Sequence, residues 1–129
     1  MVLTITDETF TGKVLNELTI EFDTDLVSVK DIITMRVEKE VERYNQKLPE
    51  YFNGLVEPTD AEKTLNGYKL MANKIIDAEK QVYIALNAFQ KNGYFVLIDN
   101  MQCEELEQKI TIKQNTTISF IKLTPLVGG

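Results

Sequence analysis

Apolar and polar positions alternate along two stretches near the start of the chain. Residues 2–10 alternate loosely, and residues 14–22 alternate more cleanly, with Leu18 and Ile20 separated by polar positions. Alternation of this kind is typical of strands that bury one face. A short link that contains Gly12 joins the two stretches, and glycine readily takes the positive φ of a tight turn. The pattern predicts a β-hairpin.

From residue 28 the period of the pattern changes from two to about four. Ser28 is placed to cap a helix, and Asp31, three residues later, completes a capping box. The apolar positions that follow are spaced as one face of a helix: Val29, Ile33, Val37, Val41, Tyr44 and Leu48. We therefore expect a helix of about five turns that ends at Pro49. The other face of this helix, which includes Arg36, is expected to face solvent.

The middle of the chain has the least regular pattern. Within residues 49–75, the run Thr59-Asp60-Ala61-Glu62 follows a proline and has the form of a capping box, which predicts a short helix. Asp77 is placed to cap another helix. Asn92-Gly93 closes that helix, because glycine can supply the left-handed residue that ends many helices.

The last third of the chain is rich in predicted strands. Residues 94–98 form a nearly continuous apolar run, which is typical of a strand buried on both faces or nearly so. Asp99-Asn100 follows as a turn, residues 110–112 form a weak strand, and residues 117–123 form a stronger one. Strands at both ends with helices between them predict a single α+β domain over residues 1–129. Its sheet is expected to be mixed, with the last strand beside the first.

Composition excludes several kinds of site. The chain has 129 residues, no His, one Cys and a net charge of −6. Without His it lacks Ser-His-Asp and Cys-His nucleophile pairs and histidine metal sites, and its lone Cys103 is more simply a small apolar filler than a nucleophile. The acidic balance argues against nucleic acid and membrane partners, because phosphate affinity comes from clustered Lys and Arg. With no spanning run and no secretory signal, the expected location is cytoplasmic. We expect neither a metal nor a cofactor.

Three segments resemble ubiquitin-like proteins, which have the β-grasp fold. The run Glu8-Thr9-Phe10-Thr11-Gly12-Lys13 is similar to ubiquitin's Lys-Thr-Leu-Thr-Gly-Lys hairpin turn, and residues 26–33 resemble the entry to its main helix. Residues 94–129 match the length from its third strand to its terminal Gly-Gly. The resemblance implies a ubiquitin-like domain of prokaryotic style, with residues 49–92 as a helical insertion between main helix and third strand. It also implies a flexible tail over residues 124–129.

The same resemblance implies a chemistry for the end of the chain. In ubiquitin-like modifiers and the related sulfur carriers, the C-terminal glycine carboxylate attacks ATP on an activating enzyme. The acyl adenylate then passes to a thiol, an amine or sulfide. Here the resemblance implies activation and conjugation at Gly128 and Gly129 and recognition of the tail through Leu126 and Val127. The implied partners are an adenylating activating enzyme, a conjugating enzyme or isopeptidase, and a target protein, while the domain itself is not an enzyme.

A partner surface on the sheet is also implied. Phe10 takes the place of an exposed leucine in ubiquitin's hairpin turn, and Leu97 and Ile121 would complete an apolar patch of the kind that marks partner sites. The alternative is that Phe10 folds over the sheet as part of the core. Three functions stay open: a covalent modifier, a sulfur carrier whose Gly129 ends as a thiocarboxylate, and a ubiquitin-like binding module without covalent chemistry.

Overall fold

Two helices cover one face of a five-stranded mixed sheet. The structure, a computed structural model, describes residues 1–71 and 74–123. The elements in chain order are β1 (Val2–Glu8), β2 (Val14–Glu21), β3 (Leu26–Ser28), α1 (Val29–Lys47), β4 (Ala61–Thr64), β5 (Gly67–Leu70), α2 (Ala78–Gln90), β6 (Tyr94–Ile98), β7 (Met101–Cys103), β8 (Lys109–Thr111) and β9 (Ile118–Lys122). The large sheet has the order β2-β1-β9-β6-β7, and β3 pairs with β8 and β4 with β5. The expected α+β class is confirmed. Within the described ranges, neither helix combines the length and apolar character needed to cross a bilayer.

The N-terminal hairpin forms as predicted. β1 and β2 pair antiparallel with Leu3 opposite Ile20, both of which are buried. Gly12 has a φ of +89° in the turn, a conformation that glycine adopts without strain. β9 lies parallel to β1, with Ile5 opposite Ile118. The prediction that the last strand pairs beside the first is therefore confirmed.

The first helix begins at its predicted cap. Ser28 Oγ accepts a hydrogen bond from the Asp31 N–H at 3.0 Å, and Asp31 Oδ2 accepts one from the Ser28 N–H at 2.9 Å. The predicted apolar stripe of α1 is buried as far as Tyr44. Leu48, its last member, is instead 43% exposed, because it takes a left-handed conformation with a φ of 45° and ends the helix.

The second helix begins as predicted and ends differently. The Asp77 side chain accepts a hydrogen bond from the Lys80 N–H at 3.2 Å. At the other end, Asn92 rather than Gly93 takes the left-handed conformation, with a φ of 60°. Asparagine tolerates this region better than most residues. At position 93 glycine is favoured by the lack of space for a side chain, since a Cβ there would lie 3.2 Å from the Ala88 carbonyl oxygen.

The short helix predicted at residues 59–62 is wrong, because this stretch leads into the hairpin of β4 and β5. Thr64 Oγ1 donates a hydrogen bond to the Gly67 carbonyl oxygen at 2.7 Å across the turn, and Gly67 has a φ of 131°. An Asn-Gly pair is a strong hairpin signal, and here it outweighs the capping-box pattern. Backbone hydrogen bonds of 2.7 and 2.9 Å between Phe52 and Tyr68 tie the hairpin to the loop that follows α1.

Candidate functional site

The partner residues predicted on strands lie on the outer face of the large sheet, which points away from the helices. β6 buries every second residue, beginning with Tyr94, and leaves Phe95 and Leu97 half-buried. Phe95 is opposite Ile121 of β9, and Ile121 is opposite Glu8 of β1. Residues directly opposite each other share a face, so these side chains form one row across three strands. The strand predicted to be buried on both faces or nearly so is thus buried on one face and half-buried on the other.

The side chain of Phe10 reaches from the hairpin turn over this face. Its ring centroid lies 6.1 Å from that of Phe95, and the residue stays 70% exposed. Phe10 is therefore not a core residue. We call Phe10, Phe95, Leu97 and Ile121 the outer-face patch. Within it, Leu97 lies in a second row, because its partner on β9 is Ser119.

Sequence reasoning missed Phe95, although a signal was present. Alternation within residues 94–98 assigns Phe95 to the same face as Leu97. The continuous apolar character of the run concealed this alternation. The contact with Phe10 depends on how the hairpin turn lies over the sheet, which local pattern does not specify.

The side of the patch toward β1 is polar. Thr6 Oγ1 donates a hydrogen bond to Glu8 Oε2 at 2.7 Å and lies 3.3 Å from Ser119 Oγ. The patch is therefore an apolar strip on β6 and β9 with a carboxylate at one side. An apolar centre with a polar rim is the usual composition of a protein contact surface.

The chain leaves the sheet at the hairpin-turn end. β9 runs parallel to β1, and Ile121, its penultimate residue, lies opposite Glu8, the last residue of β1. The end of β9 is therefore on the same side of the molecule as Phe10. The residues predicted for tail recognition, activation and conjugation lie outside the described residues: Leu126, Val127, Gly128 and Gly129.

A buried ion cluster lies beneath this end of the sheet. Arg36, which was expected to face solvent, is 1% exposed. Its guanidinium binds both oxygens of Asp7, with Nη2 2.7 Å from Oδ2, and its Nε donates to Glu40 Oε1 at 2.7 Å. The guanidinium also lies 4.5 Å from the centre of the Phe120 ring. The expectation failed because Asp7, the partner that permits burial of Arg36, is 29 residues away along the chain.

The cluster joins the end of β9 to the loop after α1. Glu40 Oε2 accepts a hydrogen bond from the Leu55 N–H at 3.0 Å, and Lys122 Nζ donates one to the Gly54 carbonyl oxygen at 2.8 Å. A Cβ on Gly54 would collide with the Phe52 ring and lie 2.6 Å from Glu40 Oε2. A larger residue at position 54 would therefore force the Phe52 ring or the Glu40 carboxylate to move. Residues 52–55 and the last strand are therefore held together by charged side chains.

Ionisation in the cluster follows from burial and pairing. Burial raises the pKa of Glu40, against the opposing charge of Arg36, and burial lowers the pKa of Lys122. Burial also works against the charge of Arg36, but Glu40 and Asp7 outweigh it and raise the Arg36 pKa. Across the described residues, every buried side-chain nitrogen and oxygen has a hydrogen-bond partner. The charged side chains of the cluster are therefore hydrogen-bonded within the protein, to one another and to the loop after α1.

Neither the cysteine nor the acidic residues form a metal-ligand cluster in the described part of the chain. Cys103 is 3% exposed, and burial raises the pKa of its thiol, which keeps it protonated and unreactive. This agrees with its interpretation as an apolar filler. Among residues 1–71 and 74–123, no three acidic or thiol side chains lie together as metal ligands would.

Comparisons of the chain with protein-family models, with curated proteins and with solved structures gave no match. Its function is therefore proposed from three features of the molecule itself. These are the outer-face patch, the point at which β9 leaves the sheet, and the residues after β9 in the sequence.

Proposed function

We propose that this protein is a ubiquitin-like modifier of β-grasp fold that is activated at the Gly129 carboxylate and conjugated to a target protein. The observation that carries the proposal is the position of β9. It lies between β1 and β6, parallel to β1, and directs the chain out of the sheet beside the hairpin turn that bears Phe10. A carboxyl group delivered from there would reach an enzyme that also contacts the outer-face patch.

The order of elements supports the β-grasp part of the proposal. An N-terminal hairpin is followed by one long helix of 19 residues, and the last strand is inserted beside the first. β6 then pairs with β9 on its other side. The loop after α1, the β4–β5 hairpin and α2 would be the insertion in this scheme, attached through Gly54 and Leu55 to the charged residues beneath the sheet.

The proposed chemistry belongs to an activating enzyme. The Gly129 carboxylate attacks the α-phosphate of ATP, pyrophosphate leaves, and an acyl adenylate forms. An amine of the target then attacks the carbonyl carbon of the adenylate, and AMP leaves as the amide bond forms. Alternatively, an enzyme thiol first displaces AMP to form a thioester, and the amine then displaces the thiol. Glycines at the last two positions allow the backbone a close approach within a narrow channel. The proposal requires that the working form of the chain end at Gly129.

Mass spectrometry of tryptic digests tests the proposal with a mark specific to this sequence. The tail after Lys122 contains no Lys or Arg, so trypsin would leave residues 123–129 attached to a target lysine. We expect this seven-residue remnant in cells that contain the activating enzyme, and none with a chain that lacks Gly128 and Gly129. Free protein alone, in those cells, would refute conjugation.

Two alternatives have distinct outcomes in the same experiment. A sulfur carrier is favoured by the apolar residues Leu126 and Val127, and it would show exchange of one oxygen for sulfur at the Gly129 carboxyl without any remnant on lysine. A non-covalent binding module is favoured by the outer-face patch. It would keep its function when Gly128 and Gly129 are deleted and lose it when Phe10 is replaced.

A further inference from the structure

Two adjoining grooves run between the open edge of the large sheet and α1. β2 is the first strand of that sheet, so one side of it is not paired within the sheet. One groove, of about 480 Å³, is lined by Thr19, Glu21 and Lys39, and the other, of about 250 Å³, by Asn16. Arg43 and Lys47 line both, so the two grooves adjoin, and we call the pair the channel.

The backbone of β2 is ready to accept a further strand. Met1 and Phe22 exchange both backbone hydrogen bonds, at 3.0 and 2.7 Å. Because such pairs alternate with unbonded pairs along an antiparallel ladder, Glu17, Thr19 and Glu21 direct their backbone N–H and C=O groups away from β1. An unpaired row of this kind is a template for another extended chain.

The helix side of the channel is basic. Lys39, Arg43 and Lys47 are four residues apart, so they form one stripe along α1. All three are exposed, and the ion pairs found among the described residues involve other cations. In a chain whose net charge is −6, this stripe favours an acidic partner.

An anchor pocket closes one end of the channel. The smaller groove has a mixed lining, polar at Asn16 and Asn53, with apolar and aromatic residues from β2, α1 and the loop that follows it: Leu18, Tyr44, Pro49, Tyr51 and Phe52. Glu40 also lines it, but its carboxylate is already bound by Arg36 and by the Leu55 N–H. The pocket therefore suits one apolar side chain next to a charged strand.

We propose that this channel binds an extended segment of another protein, which adds as an antiparallel strand to β2 and turns acidic side chains toward Lys39, Arg43 and Lys47. In the bound segment, the side chains opposite Leu18 and Ile20 point to α1 and are acidic. Those opposite the outward-facing β2 residues are neutral or basic, because like charges directly opposite are unfavourable. The segment ends in an apolar residue at the anchor pocket. This inference goes beyond the proposed function and does not depend on Gly129.

A second copy of this chain is the less suitable occupant. Two β2 strands paired antiparallel about Thr19 would place Glu17 of each opposite Glu21 of the other. This arrangement sets like charges against each other twice and leaves the basic stripe without acidic partners. The charge pattern therefore selects a different protein.

Binding of designed peptides to the full chain tests the proposal. The probe is acetyl-Thr-Glu-Thr-Glu-Thr-Glu-Thr-Leu-amide with a fluorophore, measured by anisotropy. N-methylation of its threonines blocks the ladder and should abolish binding, whereas N-methylation of its glutamates, whose N–H groups point outward, should leave binding within about twofold. Replacing its glutamates by lysines should also abolish binding.

Matched protein variants locate the site. The K39E/R43E/K47E variant should bind the probe at least about tenfold more weakly than the unchanged protein. The control variant K69E/K91E/K113E has the same change of net charge at exposed positions elsewhere, so it shares the general repulsion of the acidic probe. Beyond that shared effect, its binding should weaken by less than about twofold. Circular dichroism checks that each is folded. Equal binding of the two N-methylated peptides, or equal weakening by the two variants, would overturn the proposal. So would the absence of binding up to about 1 mM peptide.

Discussion

Replacement of Arg36 by methionine should remove a large part of the protein's stability. Methionine fills much of the same volume and can lie over the Phe120 ring, so the change isolates the charge. Asp7 would lose both hydrogen bonds that it receives from the guanidinium, and Glu40 would keep only the one from the Leu55 N–H. Two carboxylates would then be buried with side-chain exposures of 3% and 8%.

The expected magnitude follows from this burial. Removing one partner of a buried ion pair costs about 3–5 kcal/mol, because the charge left behind is neither solvated nor paired. Single domains are stable by only about 5–15 kcal/mol, so the loss is a large fraction. For a chain of 129 residues it corresponds to a fall in Tm of about 10–20 °C. The loss should shrink at acidic pH, because burial raises the pKa of Glu40 and this carboxyl loses its charge when it takes up a proton.

Urea denaturation followed by circular dichroism measures this effect. Arg43→Met, an exposed arginine on the same helix, is the matched control and should change stability by less than about 0.5 kcal/mol. The triple variant D7L/R36M/E40Q removes all three charges and should recover most of the stability that Arg36→Met loses. If Arg36→Met costs no more than Arg43→Met, the cluster is not the support that its geometry indicates.

Three further changes have distinct expected results. Because burial raises the pKa of Glu40, the folded protein holds a proton that the unfolded chain releases above about pH 4.5. The free energy of unfolding should therefore fall as the pH rises from that value, and Glu40→Gln should reduce this dependence in urea titrations at several pH values. Gly54→Ala should cost about 1–3 kcal/mol by forcing Phe52 to move, more than Gly12→Ala, where a methyl group meets nothing within 4 Å and only the positive φ opposes it. Phe10→Ala should leave Tm nearly unchanged but weaken partner binding in pull-down or calorimetric assays, and a loss of Tm as large as that of a core residue would contradict its exposure.

Local pattern determined the elements whose signals lie within a few residues of one another. The capping box of Ser28 and Asp31, the alternation in residues 14–22 and the cap at Asp77 each specify their own segment, because hydrogen bonds and periodicity act at short range. The same reasoning assigned an incorrect short helix at residues 59–62, where two local signals competed and the Asn-Gly turn prevailed.

Only the tertiary structure decided which side chains meet across the sheet and beneath it. From its position in the sequence Arg36 is expected at the surface, and it is buried because β1 places Asp7 beside it. The contact of Phe10 with Phe95 depends on the orientation of the hairpin turn relative to the sheet. The channel along β2 exists because the sheet order leaves that strand at an edge beside the basic stripe of α1. Such pairings join residues that are distant in sequence, and nothing in the local pattern specifies them. The terminal glycines, by contrast, were evident from the sequence alone, as was the acidic charge that sets the basic stripe apart.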